Sequence, residues 1–178
     1  MLSAHVIDRK NTGAVLTVRQ GTAPFRTSEP GYCAVHNGGW MDMSDLACWM
    51  YISRATILRE DADQAIDAIV AVSRPRNAAL QITGALVFSG DSFAQAIEGP
   101  AEAVAELRAL IARDMRHAEL MTVADGEQSS RDFASWSLAY SGTAHFVARE
   151  IERIRAAIHS EPYHSQRDLR RLLGELSS

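Results

Sequence analysis

The hydrophobic pattern of this chain changes character near residue 44. Before that point apolar residues are scattered without a sustained period, and five of the eleven glycines fall there, with Pro24 and Pro30. This predicts a loosely structured extension over residues 1–43, within which Ala14–Val18 could pair as a strand. From Leu46 to Ser53 the chain is a nearly unbroken apolar run, the pattern of a buried strand. Residues 61–73 follow with Ile66, Ile69 and Val70 at helical spacing, and Asn77 ends this first helix before the Ile82-Thr83-Gly84 turn. Two short apolar segments then span residues 82–98 around Ser89-Gly90-Asp91, a hairpin signal. Gly99-Pro100 opens a second helix carrying Val104, Leu107, Leu110 and Ile111 on one stripe. Residues 117–124 and 133–140 supply two more strands.

The order β-α-β-β-α-β-β predicts an α+β fold, a ferredoxin-like sheet with a fifth strand and both helices on one face. The opposite sheet face needs a cover. Val147, Ile151, Ile154 and Ile158 form one amphipathic stripe, and Leu169, Leu172, Leu173 and Leu176 form another after Glu161-Pro162. We expect these segments to cap the open face as helices, the second starting at a capping pair of Ser165 and Asp168. A dimerising helical tail is the competing reading. The organisation expected is an extension over residues 1–43, a central domain over 44–141 and a helical cap over 142–178.

Composition narrows the function classes. At 178 residues and 47% hydrophobic content the chain can bury one good core. A net charge of −4 with both signs interspersed offers no basic stripe for nucleic acid. No segment is long and apolar enough to span a bilayer, so no membrane role is expected. Two cysteines, Cys33 and Cys48, form no CxxC pair and point to a reducing cytoplasm. Nucleotide-binding glycine motifs, a P-loop and zinc-protease signatures are lacking.

The polar residue that stands out is Gln95. Strand alternation points its amide to the same face as Phe93 and Ile97. A buried amide without partners costs about 1–3 kcal/mol, so something must bond to it. Read alone, Gln95 could be a satisfied polar residue at a core edge, in a ferredoxin-like adaptor that binds no cofactor.

Other segments change that reading. Tyr-x-Ser-Arg-Ala begins at Tyr51, Asn-Ala-x-x-x-Ile-Thr-Gly at Asn77, and Phe-x-Gln-x-x-Glu-Gly surrounds Gln95. Asp114-x-Arg116-His117 and Arg131-x-Phe-x-x-Trp136 follow. In this order and spacing they resemble the BLUF family of blue-light sensors over residues 46 to about 140. The resemblance implies non-covalent FAD, with FMN and riboflavin as the alternatives. It implies that light drives electron and proton transfer from Tyr51 to the flavin and that Gln95 then rearranges its hydrogen bonds. An amide suits that role because it carries a donor end and an acceptor end. By the same resemblance Trp136 joins Tyr51 and Gln95 as photoactive, Asn77 holds the flavin edge, and Arg76, Asp114, Arg116 and His117 lie toward the ribityl chain and phosphates. For Asn77 the competing role is a left-handed helix cap. Leu138 stands where the family often has methionine, which removes a sulfur contact to the amide. No effector is read in the chain, so the expectation is a sensor without turnover acting on a separate effector or regulatory protein, with a homodimer left open. A flavin-dependent redox enzyme is the alternative.

Overall fold

The computed structural model describes residues 46–177, so the expectations for residues 1–43 lie outside the described residues. Five strands, β1 (Leu46–Ala55), β2 (Thr83–Phe88), β3 (Ser92–Pro100), β4 (His117–Glu127) and β5 (Trp136–Ser141), form one sheet in the order β4-β1-β3-β2-β5. β1 and β3 pair antiparallel, as do β1 and β4 and β2 and β3, while β5 runs parallel to β2 at the edge. This is the expected ferredoxin-like arrangement with its fifth strand.

Alternation along β1 and β3 divides the apolar residues between two cores. Trp49, Tyr51, Phe93 and Ile97 face α1 (Ala62–Ala79) and α2 (Ala101–Ile111), joined by Ile66, Val104 and Leu107. Met50, Ile52, Ala94 and Ala96 face the other way. There α3 (His145–Ala157) and α4 (Pro162–Leu176) cover them with Ile151, Ile154, Leu169 and Leu173, all fully buried. The two C-terminal stripes are therefore spent within the chain. Gly84 is required where β2 meets β3: its φ is +143°, and a Cβ there would lie 2.0 Å from the Ala96 carbonyl oxygen.

Four local boundaries differ from expectation. α1 runs through Pro75 to Ala79, two residues past Asn77, which was expected to end it. Tertiary packing outweighs the hydrogen bond that proline forfeits. The left-handed residue after the helix is Gln81, with φ 55°, and not Asn77, whose backbone carbonyl accepts from Ile82 N–H at 2.8 Å. Second, Pro100 ends β3 and precedes the first residue of α2. Third, β5 starts at Trp136 and not at Phe133, because the N–H groups of Asp132 and Phe133 bond to the Glu98 carboxylate. Finally, α4 starts at Pro162, whose fixed φ suits a first helical position, so Ser165 and Asp168 are not its capping pair. Asp168 instead accepts from Arg153 at 2.7 Å and Arg167 at 2.9 Å.

Candidate functional site

β1 and β3 set Tyr51 directly opposite Gln95, on the face covered by α1 and α2. The Tyr51 phenol donates to Gln95 Oε1 at 2.7 Å, and both residues are buried, at 1% and 5% exposure. Among the described residues the buried amide thus has one side-chain partner, and its Nε2 end is left as a donor. Tyr51 stacks on Trp49 with ring centroids 4.5 Å apart, which fixes the phenol's plane. Burial, reinforced by the charge of Asp114, pushes the Tyr51 pKa far above that of a free phenol. The phenol is held as a neutral donor at any ordinary pH.

These two residues form the floor of a cleft of about 140 Å3 between the sheet and the pair α1 and α2. Its walls include Ile69, Val72, Leu107, Leu110 and Ile111 from the helices and Leu86 and Phe93 from the sheet. Asn77 enters from the last turn of α1, and Trp136 from the first position of β5. Asp114, Arg116 and His117 come from the α2–β4 connection and the start of β4, and Arg76 from the outer turn of α1. All eight residues singled out from sequence therefore line one cleft.

Its polar edge is incompletely satisfied. Asn77 Oδ1 and Trp136 Nε1 are buried and have no hydrogen-bond partner among the described residues, although their residues are only 1% and 6% exposed. Buried orphans of this kind are rare and call for an explanation. At the rim the apolar side chains Val72 and Leu110 are 66% and 40% exposed, which is uncommon for large apolar groups unless something covers them. The enclosed space is smaller than the roughly 300–1,000 Å3 of sites that engulf a drug-sized ligand. It suits the ring end of a ligand whose remainder lies along the rim.

The charged residues of the rim are mutually engaged. Arg116 Nε donates to Asp114 Oδ1 at 2.9 Å, and the pairing holds the Asp114 carboxyl below its usual range against a smaller opposing effect of burial. Arg76 is tied to Glu106 of α2 at 2.7 Å, so it spans the two helices at the cleft's edge. His117 Nδ1 lies 2.8 Å from Ser53 Oγ, and its ring packs 4.5 Å from that of Phe93. Burial lowers its pKa, with Asp114 opposing and Arg116 adding to the fall.

Glu98 and Arg131 belong to the quoted motifs but were given no role by sequence. Glu98 is fully buried and accepts from Asp132 N at 3.0 Å, Phe133 N at 3.2 Å and Thr83 Oγ1 at 3.1 Å. Arg131 donates to the Glu98 carbonyl at 2.9 Å, the Gln81 carbonyl at 2.7 Å and Thr83 Oγ1 at 2.8 Å. Together they fasten the segment that leads into Trp136. The available signal was a carboxylate at a strand position otherwise kept for apolar groups.

An apolar slot with donor and acceptor atoms at its inner edge fits the chemistry of an isoalloxazine ring. Asn77 Oδ1 and Trp136 Nε1 lack partners among the described residues, while the arginines at the mouth, Arg116 and Arg76, are each paired with a carboxylate. Among the described residues no group of His, Cys, Asp and Glu is placed to hold a metal ion, and no helix is long and apolar enough to cross a membrane.

Comparison with known proteins agrees with this geometry. The photoactivated adenylate cyclase subunit beta of Euglena longa is 36% identical over 106 residues, which are 59% of this chain and 12% of that protein. A photoactivated adenylate cyclase subunit beta-like protein, FB, of Euglena gracilis is 37% identical over 99 residues, 55% of this chain and 11% of that protein. The chain therefore spans about one eighth of the length of these relatives. Among solved structures, the dark state of BlrB, a BLUF protein, superposes with a TM-score of 0.62 at 32% identity, covering 75% of this chain and 98% of that one. Klebsiella pneumoniae BlrP1, solved with FMN and cyclic diGMP, gives a TM-score of 0.51 at 26% identity over 65% of this chain and 35% of that one. The model of the family described as sensors of blue light using FAD matches residues 46–139, and the chain belongs to that family, BLUF.

Proposed function

We propose that this protein is a blue-light photoreceptor that binds FAD non-covalently in the cleft above β1 and β3 and signals to a separate effector or regulatory protein. The observation that carries the reading is the buried bond from Tyr51 to Gln95 Oε1 on the floor of a cleft with unpaired polar atoms. Asn77, Gln95 and Trp136 hold the ring edge, while Arg116, Asp114, His117 and Arg76 flank the ribityl chain and phosphates. When bound, the flavin supplies a blue-absorbing centre whose excited state draws an electron and a proton from a nearby phenol.

The response to that excitation depends on the chain's own residues. Tyr51 is kept protonated by burial, so its phenol holds both an electron and a proton to give, with Gln95 Oε1 as the hydrogen-bond acceptor of that proton. Gln95 is its hydrogen-bond partner and is the group that can take up a second arrangement. In the arrangement seen, Oε1 accepts from the phenol. Reversal of the amide, or its tautomer, would exchange donor for acceptor toward both the phenol and the ring. Trp49 beneath Tyr51 and Phe93 beside His117 keep the surrounding rings in place while the amide turns.

The output is proposed by analogy with the Euglena relatives, whose matched segment belongs to much longer proteins named as photoactivated cyclases. For this chain, the signal passes by protein contact. The test is Tyr51→Phe in the FAD-loaded protein: the flavin should remain bound and its light-induced red shift should disappear. A shift of undiminished size in Tyr51→Phe would refute the role given to the phenol.

A further inference from the structure

Gln95 and Glu98 are three residues apart on β3, an odd separation that sends their side chains to opposite faces of the sheet. Gln95 lies in the cleft, whereas Glu98 shares the side of Ala94 and Ala96, beneath α3 and α4. The Glu98 carboxylate accepts from the Asp132 N–H at 3.0 Å, and the Asp132 carboxylate pairs with Arg170 of α4 at 3.1 Å. One strand thus carries the amide on one face and, on the other, a bonded chain of three residues ending on the cap.

We propose that Glu98, Asp132 and Arg170 are the positioning residues through which a rearrangement at Gln95 reaches α4. The inference rests on the reading of Gln95 as the photoactive amide. A second charged route exists at the other edge, where Glu119 of β4 pairs with Arg155 and Arg54. Glu119, which anchors that route on the sheet, is 62% exposed, whereas Glu98 has no exposure. Glu98 is fully buried and bonded to backbone N–H groups, so a displacement of β3 must either move residues 132–133 or break those bonds. The same segment leads directly into Trp136 at the start of β5, so the link also bears on the cleft-facing end of that strand. The half-exposed pair of Asp132 and Arg170 is the place to cut the chain without opening the core.

The test compares amide hydrogen exchange of residues 165–176 in the dark and under blue light in the FAD-loaded full chain. In the unsubstituted protein, light should change exchange there by about threefold or more. Arg170→Gln and Asp132→Asn should keep the flavin red shift and lose that light-dark difference, and Arg170→Lys should retain it. A merely structural pair would raise exchange equally in both states and leave their ratio intact, which would overturn the proposal. So would a normal red shift with no light-dependent exchange in α4 of the unsubstituted protein. An unsubstituted protein with no red shift would instead refute the photoreceptor reading on which the proposal stands.

Discussion

The Tyr51–Gln95 bond makes a prediction that needs no flavin. Tyr51→Phe removes the donor and leaves Oε1 of an amide that is 5% exposed without that partner. An unpaired buried neutral acceptor costs about 1–3 kcal/mol, part of it offset because the phenol hydroxyl no longer has to be desolvated. We expect Tyr51→Phe to destabilise the flavin-free chain by about 1–2 kcal/mol, and Gln95→Leu by a similar amount through the orphaned phenol. The double variant replaces both partners with apolar groups of similar shape, which is close to neutral. Its loss should therefore fall below the sum of the singles by about 1 kcal/mol or more. Urea unfolding followed by circular dichroism measures this. With a slope of roughly 1–3 kcal/mol per molar, each single variant moves the midpoint by about 0.3–2 M. Additivity within about 0.3 kcal/mol would refute the coupling and the geometry it is drawn from.

Asn77→Leu should act in opposite directions on the two forms of the protein. It removes a buried unpaired Oδ1, so the flavin-free chain should gain about 1 kcal/mol in thermal or urea unfolding, while FAD affinity by titration should fall about tenfold. The lowered pKa of His117 means that the folded ring binds its proton less readily than an unfolded one. Its contribution to stability is therefore level above about pH 6.5 and declines as the pH falls below that value, so His117→Gln should flatten the difference between unfolding at pH 7 and at pH 5. Leu169→Ala should cost about 2–5 kcal/mol in chemical unfolding, because Leu169 is fully buried against the sheet; a cost below 1 kcal/mol, about that of a surface position, would favour a free helical tail.

The fold was legible where the pattern is local and periodic. Alternation along β3 assigned Gln95 to the face of Phe93 and Ile97, and the stripes of α3 and α4 matched the sheet face that two helices leave bare. What was not legible was long-range. Tyr51 and Gln95 are opposite each other because of a strand register between residues 44 apart, which nothing in either segment announces; only the family resemblance brought them together. The start of β5 was misplaced because Phe133 has a strand-like neighbourhood, while its N–H is taken by a carboxylate thirty-five residues earlier. Glu98 went unassigned for the same reason: a glutamate is ordinarily solvated, and only the tertiary structure reveals the donors that make its burial tolerable. Pro75 does not end α1, and the helix runs two residues past its expected end at Asn77, with Arg76 and Asn77 in its last turn lining the cleft.

The absorption spectrum of the FAD-loaded chain before and after blue light is the most direct test of the central claim. A hydrogen bond altered by Gln95 at the flavin edge predicts a small shift of the flavin bands to longer wavelength that reverses in the dark. A chain that cannot be loaded with flavin, or a flavin-loaded chain whose spectrum is unmoved by blue light, would contradict it.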